Sequence, residues 1–270
     1  MAEDEGWAQL KADIERLSPG ARDVVLYRAS LRILPKALSL HYSDRPRADV
    51  PDLEQCAWRC AFVSWAKVAG YPGAQPSLAS ASGALRVEAE RRGARRSRAT
   101  NARMRANGNA ASRQSMNAGL AGLYLTDPAL ALDALPHVVG DHRDFGARAR
   151  DLQRDAARSH VERDVASLIQ AGDAPAAAAD LLLRPLWSEP VDWADAARDS
   201  LTDWFTAGGT HRSPWPLWYA RRQAGDASAF GLPEGPDGAL VTRILAEPDD
   251  FWDRAPRLLE SEIMGWIDAA

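Results

Sequence analysis

Apolar side chains recur at helical spacing along nearly the whole chain. Trp7, Leu10, Ile14 and Leu17 lie three and four residues apart, which predicts a helix near the N-terminus. The stretch "SPG" at 18–20 then offers Ser18 as an N-cap and Pro19 at the first helical position. Val24, Tyr27, Leu31, Leu34 and Leu38 continue the same period, and Pro35 should kink or shorten this second helix. The next candidate, 52–69, carries Leu53, Cys56, Cys60 and Val63 on one face and Trp58, Phe62 and Trp65 on another. A helix apolar on two sides is a buried one, so it is expected at the centre of the N-terminal half. Residues 143–171 read as one long helix with Ala157, Val161, Val165 and Leu168 as its apolar stripe and Gly172 as its stop. No alternating strand pattern of useful length occurs. The expected fold is all-α, a bundle of about ten helices in two packed parts, 1–180 and 185–270.

The C-terminal part carries seven of the ten tryptophans, so it must either bury or display a heavy aromatic load. In "SEPVDWADAARDSLTDWF", Trp193, Ala197, Leu201 and Trp204 share one face, with Asp192, Asp195, Asp199 and Asp203 opposite. That pattern is a surface helix with one buried side. In "HRSPWPLWYARRQAGD", 211–226, Ser213 is the expected N-cap, Pro214 and Pro216 fit the first turn, and Gly225 sits where a terminating glycine belongs. Arg221 and Arg222 occupy the last turn, where cations are favoured. Trp215 and Tyr219 are one turn apart, as are Trp218 and Arg222. The core reading has these aromatics buried against Trp187, Trp193 and Trp204. The alternative makes Trp215 and Trp218 a binding surface rimmed by Arg221 and Arg222.

Charge alters the picture in one segment. Residues 86–113 hold nine arginines against Glu88 and Glu90, a net of +7, so the rest of the chain carries −11 against a total of −4. Arg91, Arg95, Arg98 and Arg105 would share one helical face able to follow phosphates. The segment has no aromatic residue on which a base could stack. The other reading is a solvated excursion that pairs with the acidic body. Arginine outnumbers lysine 30 to 3, which with the alanine richness points to a GC-rich, bacterial genome. The opening "MAEDEGW" lacks the features of a signal peptide, no apolar run of about 18 residues predicts a membrane span, and Cys56 and Cys60 form no disulfide framework. A cytoplasmic location is expected.

The spaced tryptophans also carry a resemblance. Pro185-Leu186-Trp187, Trp193, Trp215, Trp218-Tyr219, Arg222 and Gly225, with Trp252 and Pro256, resemble the C-terminal pattern of a group of uncharacterised proteobacterial proteins. "RILP" at 32–35 resembles the group's N-terminal helix. Two departures stand out: Arg212 occupies a position where a further tryptophan is usual, and the middle is arginine-rich rather than plainly alanine-rich. The resemblance implies a helical fold, suggests a setting in phage defence and carries no mechanism.

Catalytic motifs are sparse. Walker A, GxGxxG, HExxH and CxxC patterns are absent. "SWAK" at 64–67 spells the serine–lysine spacing of acyl enzymes, but it falls in the aromatic central helix without the accompanying K-T-G. "HVVGDHRD" places His137, Asp141, His142 and Asp144 within eight residues, a weak metal-ligand candidate or a polar loop with Asp141 as helix cap. Arg154 and His160, six apart, match the loose arginine–histidine spacing of the HEPN ribonucleases, a match that a chain with so many arginines also produces by chance. The expected role is a non-enzymatic helical interaction or accessory protein with a protein partner, no cofactor and no membrane. The alternative is a nucleic-acid-directed protein, binding phosphates through 86–113 or cleaving RNA with Arg154 and His160.

Overall fold

The computed structural model describes residues 2–39, 53–98, 147–206 and 212–270. Within them the chain forms eleven helices and no strand: α1 (Ala2–Arg16), α2 (Pro19–Ser39), α3 (Leu53–Val68), α4 (Ala74–Arg98), α5 (Ala147–Gln170), α6 (Pro175–Leu182), α7 (Asp192–Thr206), α8 (Pro214–Ala224), α9 (Glu234–Ala246), α10 (Asp249–Trp252) and α11 (Pro256–Ala269). The fold is all-α, with about the number of helices the periodicity predicts. None of these helices is long and apolar enough to cross a membrane.

Helix α2 is the hub. It packs against α1, α3, α5, α6 and α7. Its sequence explains why: Val24, Val25, Leu26, Tyr27, Ala29, Leu31 and Leu34 are all buried, and so are Arg28, Ser30 and Arg32. A helix buried on every side belongs at a centre. It runs through Pro35 to Ser39, so the proline neither ends it nor confines it to one turn beyond Leu34. At its start, the Ser18 hydroxyl accepts from the Ala21 N–H at 3.4 Å, as an N-cap does. Asp173, in left-handed conformation just past α5, accepts from the Ser18 N–H and, at 3.1 Å, from its hydroxyl. The end of α5 is thereby tied to the start of α2. Gly172 does stop α5: the Asp173 N–H returns to the Leu168 carbonyl at 2.8 Å and the Gly172 N–H to Ile169 at 3.0 Å.

Helix α3 lies at the centre as its two apolar faces require. Trp58, Cys60, Phe62, Val63 and Trp65 are all buried, and the helix packs on α2 and α4. Buried residues from both the N-terminal and the Trp-rich parts form one contiguous cluster.

Candidate functional site

The stretch at 211–226 folds as α8, an 11-residue helix about 16 Å long. Ser213 caps it, its side chain accepting from the Trp215 N–H at 3.4 Å. Gly225 ends it with φ 74°. The Asp226 N–H closes on the Arg221 carbonyl at 3.0 Å and the Gly225 N–H on Arg222 at 3.2 Å, the paired bonds of a Schellman end. Trp215, Trp218 and Tyr219 are at most 1% exposed. They are core, as the periodicity suggests, but their neighbours differ from expectation. Trp218 meets Trp58, Phe62 and Trp65 of α3 edge-on, with ring centres 5.9–6.3 Å apart. Tyr219 lies 5.8 Å from Trp58, and Trp215 stacks on Trp252 at 6.4 Å. Trp187 and Trp193 instead pair with each other, and Trp204 with Phe205.

The two arginines of α8 take different roles. Arg222 is buried, with its guanidinium 4.7 Å over the Trp65 ring and a donor on the Ser228 carbonyl. Burial holds its pKa below the usual arginine range, against the opposing pull of Tyr27, Asp226 and Asp237. Arg221 is half-buried and pairs with Asp226. Neither forms an open rim beside Trp215 and Trp218.

Of the other sequence candidates, His160 is the best placed and is buried. Its ring stands 4.9 Å from Trp187, and Nε2 accepts from the Ser188 N–H at 3.3 Å. An imidazole nitrogen engaged by a backbone donor beneath an indole anchors the 187–189 turn. Arg163, three residues on, binds the Ser188 hydroxyl at 2.6 Å and Glu189 at 2.9 Å. The Arg154 side chain lies outside the described residues, as do His137, Asp141, His142 and Arg105. The backbone of α4 carries Arg91, Arg95 and Arg98 on one continuous helix, while their side chains are outside the described set. Among the described residues, no cluster of histidine, cysteine and carboxylate can hold a metal. Ser64 is buried and Lys67 pairs with Asp23 at 2.8 Å, so the serine–lysine spacing is a feature of packing. Cys56 and Cys60 are both buried, and burial pushes the Cys60 thiol far above its ordinary range.

The densest polar arrangement was not singled out by the sequence. Arg28 and Arg32, one turn apart on α2, both reach Asp164 of α5, at 3.0 and 2.7 Å. Arg28 also donates to the carbonyls of Leu181, Arg184 and Pro185 at 2.7–2.8 Å, and Arg32 to that of Leu186 at 2.7 Å. These carbonyls belong to the end of α6 and the turn after it, where helix geometry leaves acceptors unfilled. The turn is held from its other side by α8, where the Leu186 N–H donates to the Gln223 carbonyl at 2.9 Å.

A groove of about 260 Å³ opens between α1 and α5. Leu10 and Val165 form its floor, with Gly6, Ala166 and Ile169 along it. Its rim is polar: Gln9 binds Asp13 at 3.0 Å and Arg158 binds Glu162 at 2.7 Å. Arg158 lies 5.3 Å over the Trp7 ring and against Gly6, where a Cβ would push its guanidinium aside. Ile169 is 49% exposed, as Leu183 is, and less so than Val87 or Leu258.

In comparison with known proteins, no family model, no curated protein and no solved structure matches the chain.

Proposed function

We propose that the protein is a non-enzymatic helical interaction protein that seats aliphatic side chains of a protein partner in the α1–α5 groove. The observation that carries this reading is the groove itself, an apolar floor with a polar rim and a half-exposed Ile169 beside it. Grooves of this make between helices receive the apolar face of an amphipathic helix. The −11 carried outside 86–113 favours a basic partner, because complementary charge speeds encounter. The polar residues of the other candidate sites support the same reading. His160, Asp164, Arg28, Arg32 and Arg222 are each engaged in holding turns and helices in place.

The test is crosslinked capture from the cells of origin, with nucleic acid retained and sequenced. A partner taken up by the wild-type protein and lost by Ile169→Glu sustains the proposal, and a half-exposed position tolerates that change. Capture of the same partners by both proteins removes the groove. The nucleic-acid reading rests on the arginines of 86–113. It requires binding that weakens steeply with salt, with a smaller slope once Arg91, Arg95 and Arg98 are replaced by Ala. Recovery of RNA or DNA with that behaviour, and of no protein, would replace the proposal.

A further inference from the structure

An imidazole nitrogen that accepts hydrogen bonds can do so only while it is unprotonated. His160, 4% exposed on α5, holds such a nitrogen. Three groups converge on its Nε2. The Ser188 N–H donates to it at 3.3 Å, the Ser188 hydroxyl lies at 3.3 Å, and Nη1 of Arg163 lies at 3.5 Å. The same Arg163 nitrogen donates to the Ser188 hydroxyl at 2.6 Å, and its Nη2 reaches Glu189 at 2.9 Å. A backbone N–H can only donate, so Nε2 turns a lone pair toward Ser188 and carries no proton there.

A proton on Nε2 would find one acceptor among these groups, the Ser188 hydroxyl. The Ser188 N–H would lose its partner, and an imidazolium would stand beside a guanidinium. Like charge nearby and a hydrogen bond to the neutral form both disfavour the charged form. The carboxylates of α5 and of the turn are held by arginines: Glu189 by Arg163, Glu162 by Arg158, and Asp164 by Arg28 and Arg32. From α2, the Arg32 guanidinium lies 5.8 Å from the centre of the Trp187 ring, which meets His160 edge-on at 4.9 Å. It adds a further positive charge on that side.

The turn that His160 holds joins α6 to α7. Trp187 meets Trp193, in the first turn of α7, edge-on at 5.3 Å. We propose that His160 is a pH-sensitive latch, whose protonation on Nε2 releases the 187–189 turn from α5 and loosens the Trp187–Trp193 contact at the start of α7. The folded arrangement takes up that proton less readily than an unfolded chain does. The stability it contributes is therefore full above about pH 6.5, where free imidazole is neutral, and is lost as pH falls below it. The latch is independent of the α1–α5 groove and of any partner seated there.

The full chain is followed from about pH 8 to about pH 5, the range in which histidine changes charge, by hydrogen exchange at the Ser188 amide, corrected for the intrinsic pH dependence of exchange, and by tryptophan fluorescence. In the wild-type protein the Ser188 amide should lose protection on acidification, together with a fluorescence change of the same midpoint. His160→Gln offers an amide oxygen to the Ser188 N–H but takes up no proton, so its Ser188 protection should stay level across the range. Arg163→Gln removes the neighbouring cation and keeps a donor for the Ser188 hydroxyl. It should move the midpoint to higher pH, because the imidazole then accepts its proton more readily. Unchanged Ser188 protection in the wild-type protein, or a loss of equal size in His160→Gln, overturns the latch. If His160→Gln fails to fold, Arg163→Gln decides, and a midpoint that stays in place or falls overturns it.

Discussion

Arg32 Nη2 donates to Asp164 Oδ2 at 2.7 Å across the α2–α5 interface, with both residues buried. The same carboxylate oxygen receives Arg28 Nε at 3.0 Å. One carboxylate therefore organises two arginines whose other nitrogens grip the turn at 181–186. This links the hub helix to the Trp-rich part through backbone carbonyls rather than through apolar contact alone.

Asp164→Asn should be among the most destabilising polar substitutions in the chain. It keeps the shape of the side chain and removes its charge, leaving two buried guanidiniums facing each other. Breaking one partner of a buried ion pair costs about 3–5 kcal/mol. Chemical denaturation of the variant should show that loss. A cost below about 1 kcal/mol would mean that the arginines are neutralised from elsewhere.

Gly225→Ala should also be costly, for two separable reasons. The residue has φ 74°, where an L side chain is disfavoured by about 1–2 kcal/mol. A Cβ there would also run into the backbone of Leu183, Arg184 and Pro185, where Arg28 of α2 holds the Arg184 and Pro185 carbonyls. Gly231 has φ 83°, but a Cβ there meets only the Arg221 side chain, which can move. Gly225→Ala should therefore lower Tm by more than Gly231→Ala. Equal effects would show that the 183–185 turn yields easily.

The helices and their ends were legible because they depend on local signals. Ser18, Ser213, Gly172 and Gly225 do what their positions in the sequence suggest. Burial of Trp215 and Trp218 was legible from their spacing. Their neighbours were not, because periodicity reports which face of a helix is apolar and not what covers it. Trp58, Phe62 and Trp65 lie some 150 residues earlier and meet α8 only through the tertiary fold. The Arg28–Arg32–Asp164 cluster left a faint trace. Arg28 falls four residues after Val24 and three before Leu31, and Asp164 falls three after Val161 and four before Leu168. Opposite charges inside two apolar stripes can mark a buried pair, but a chain dense in arginine and aspartate hides that signal. Some of the spaced C-terminal residues meet in the fold. Leu186 and Gly225 lie on the two sides of the contact between α8 and the 183–187 turn, and Trp187 covers His160.

A pH dependence follows from Asp249 at the start of α10. The Ser80 hydroxyl, then Nη2 of Arg59 at 2.9 Å, holds its carboxyl below the usual aspartate range. A depressed folded pKa adds stability that is present above the unfolded value of about 3.9 and lost as pH falls through the folded value. Asp249→Asn should therefore lower Tm slightly at pH 7, and the difference should vanish near pH 2. The carboxylate is largely exposed, so the effect is small and screened by salt. A difference that grew on acidification would contradict the assignment.

Trp218→Ala separates the two readings of the α8 aromatics. The helix is too short to persist without tertiary contacts, and Trp218 is the side chain that reaches all three rings of the α3 aromatic row. Removing it leaves a cavity between α3 and α8 that the close-packed rings cannot fill. Such large-to-small changes cost about 3–5 kcal/mol, so the variant should unfold at lower denaturant and give less folded protein. Trp218→Phe, which keeps a ring in place, should recover much of the loss. If Trp218→Ala left thermal stability unchanged while abolishing capture of a partner, the stretch would be a recognition surface and its burial against α3 would have to open for binding.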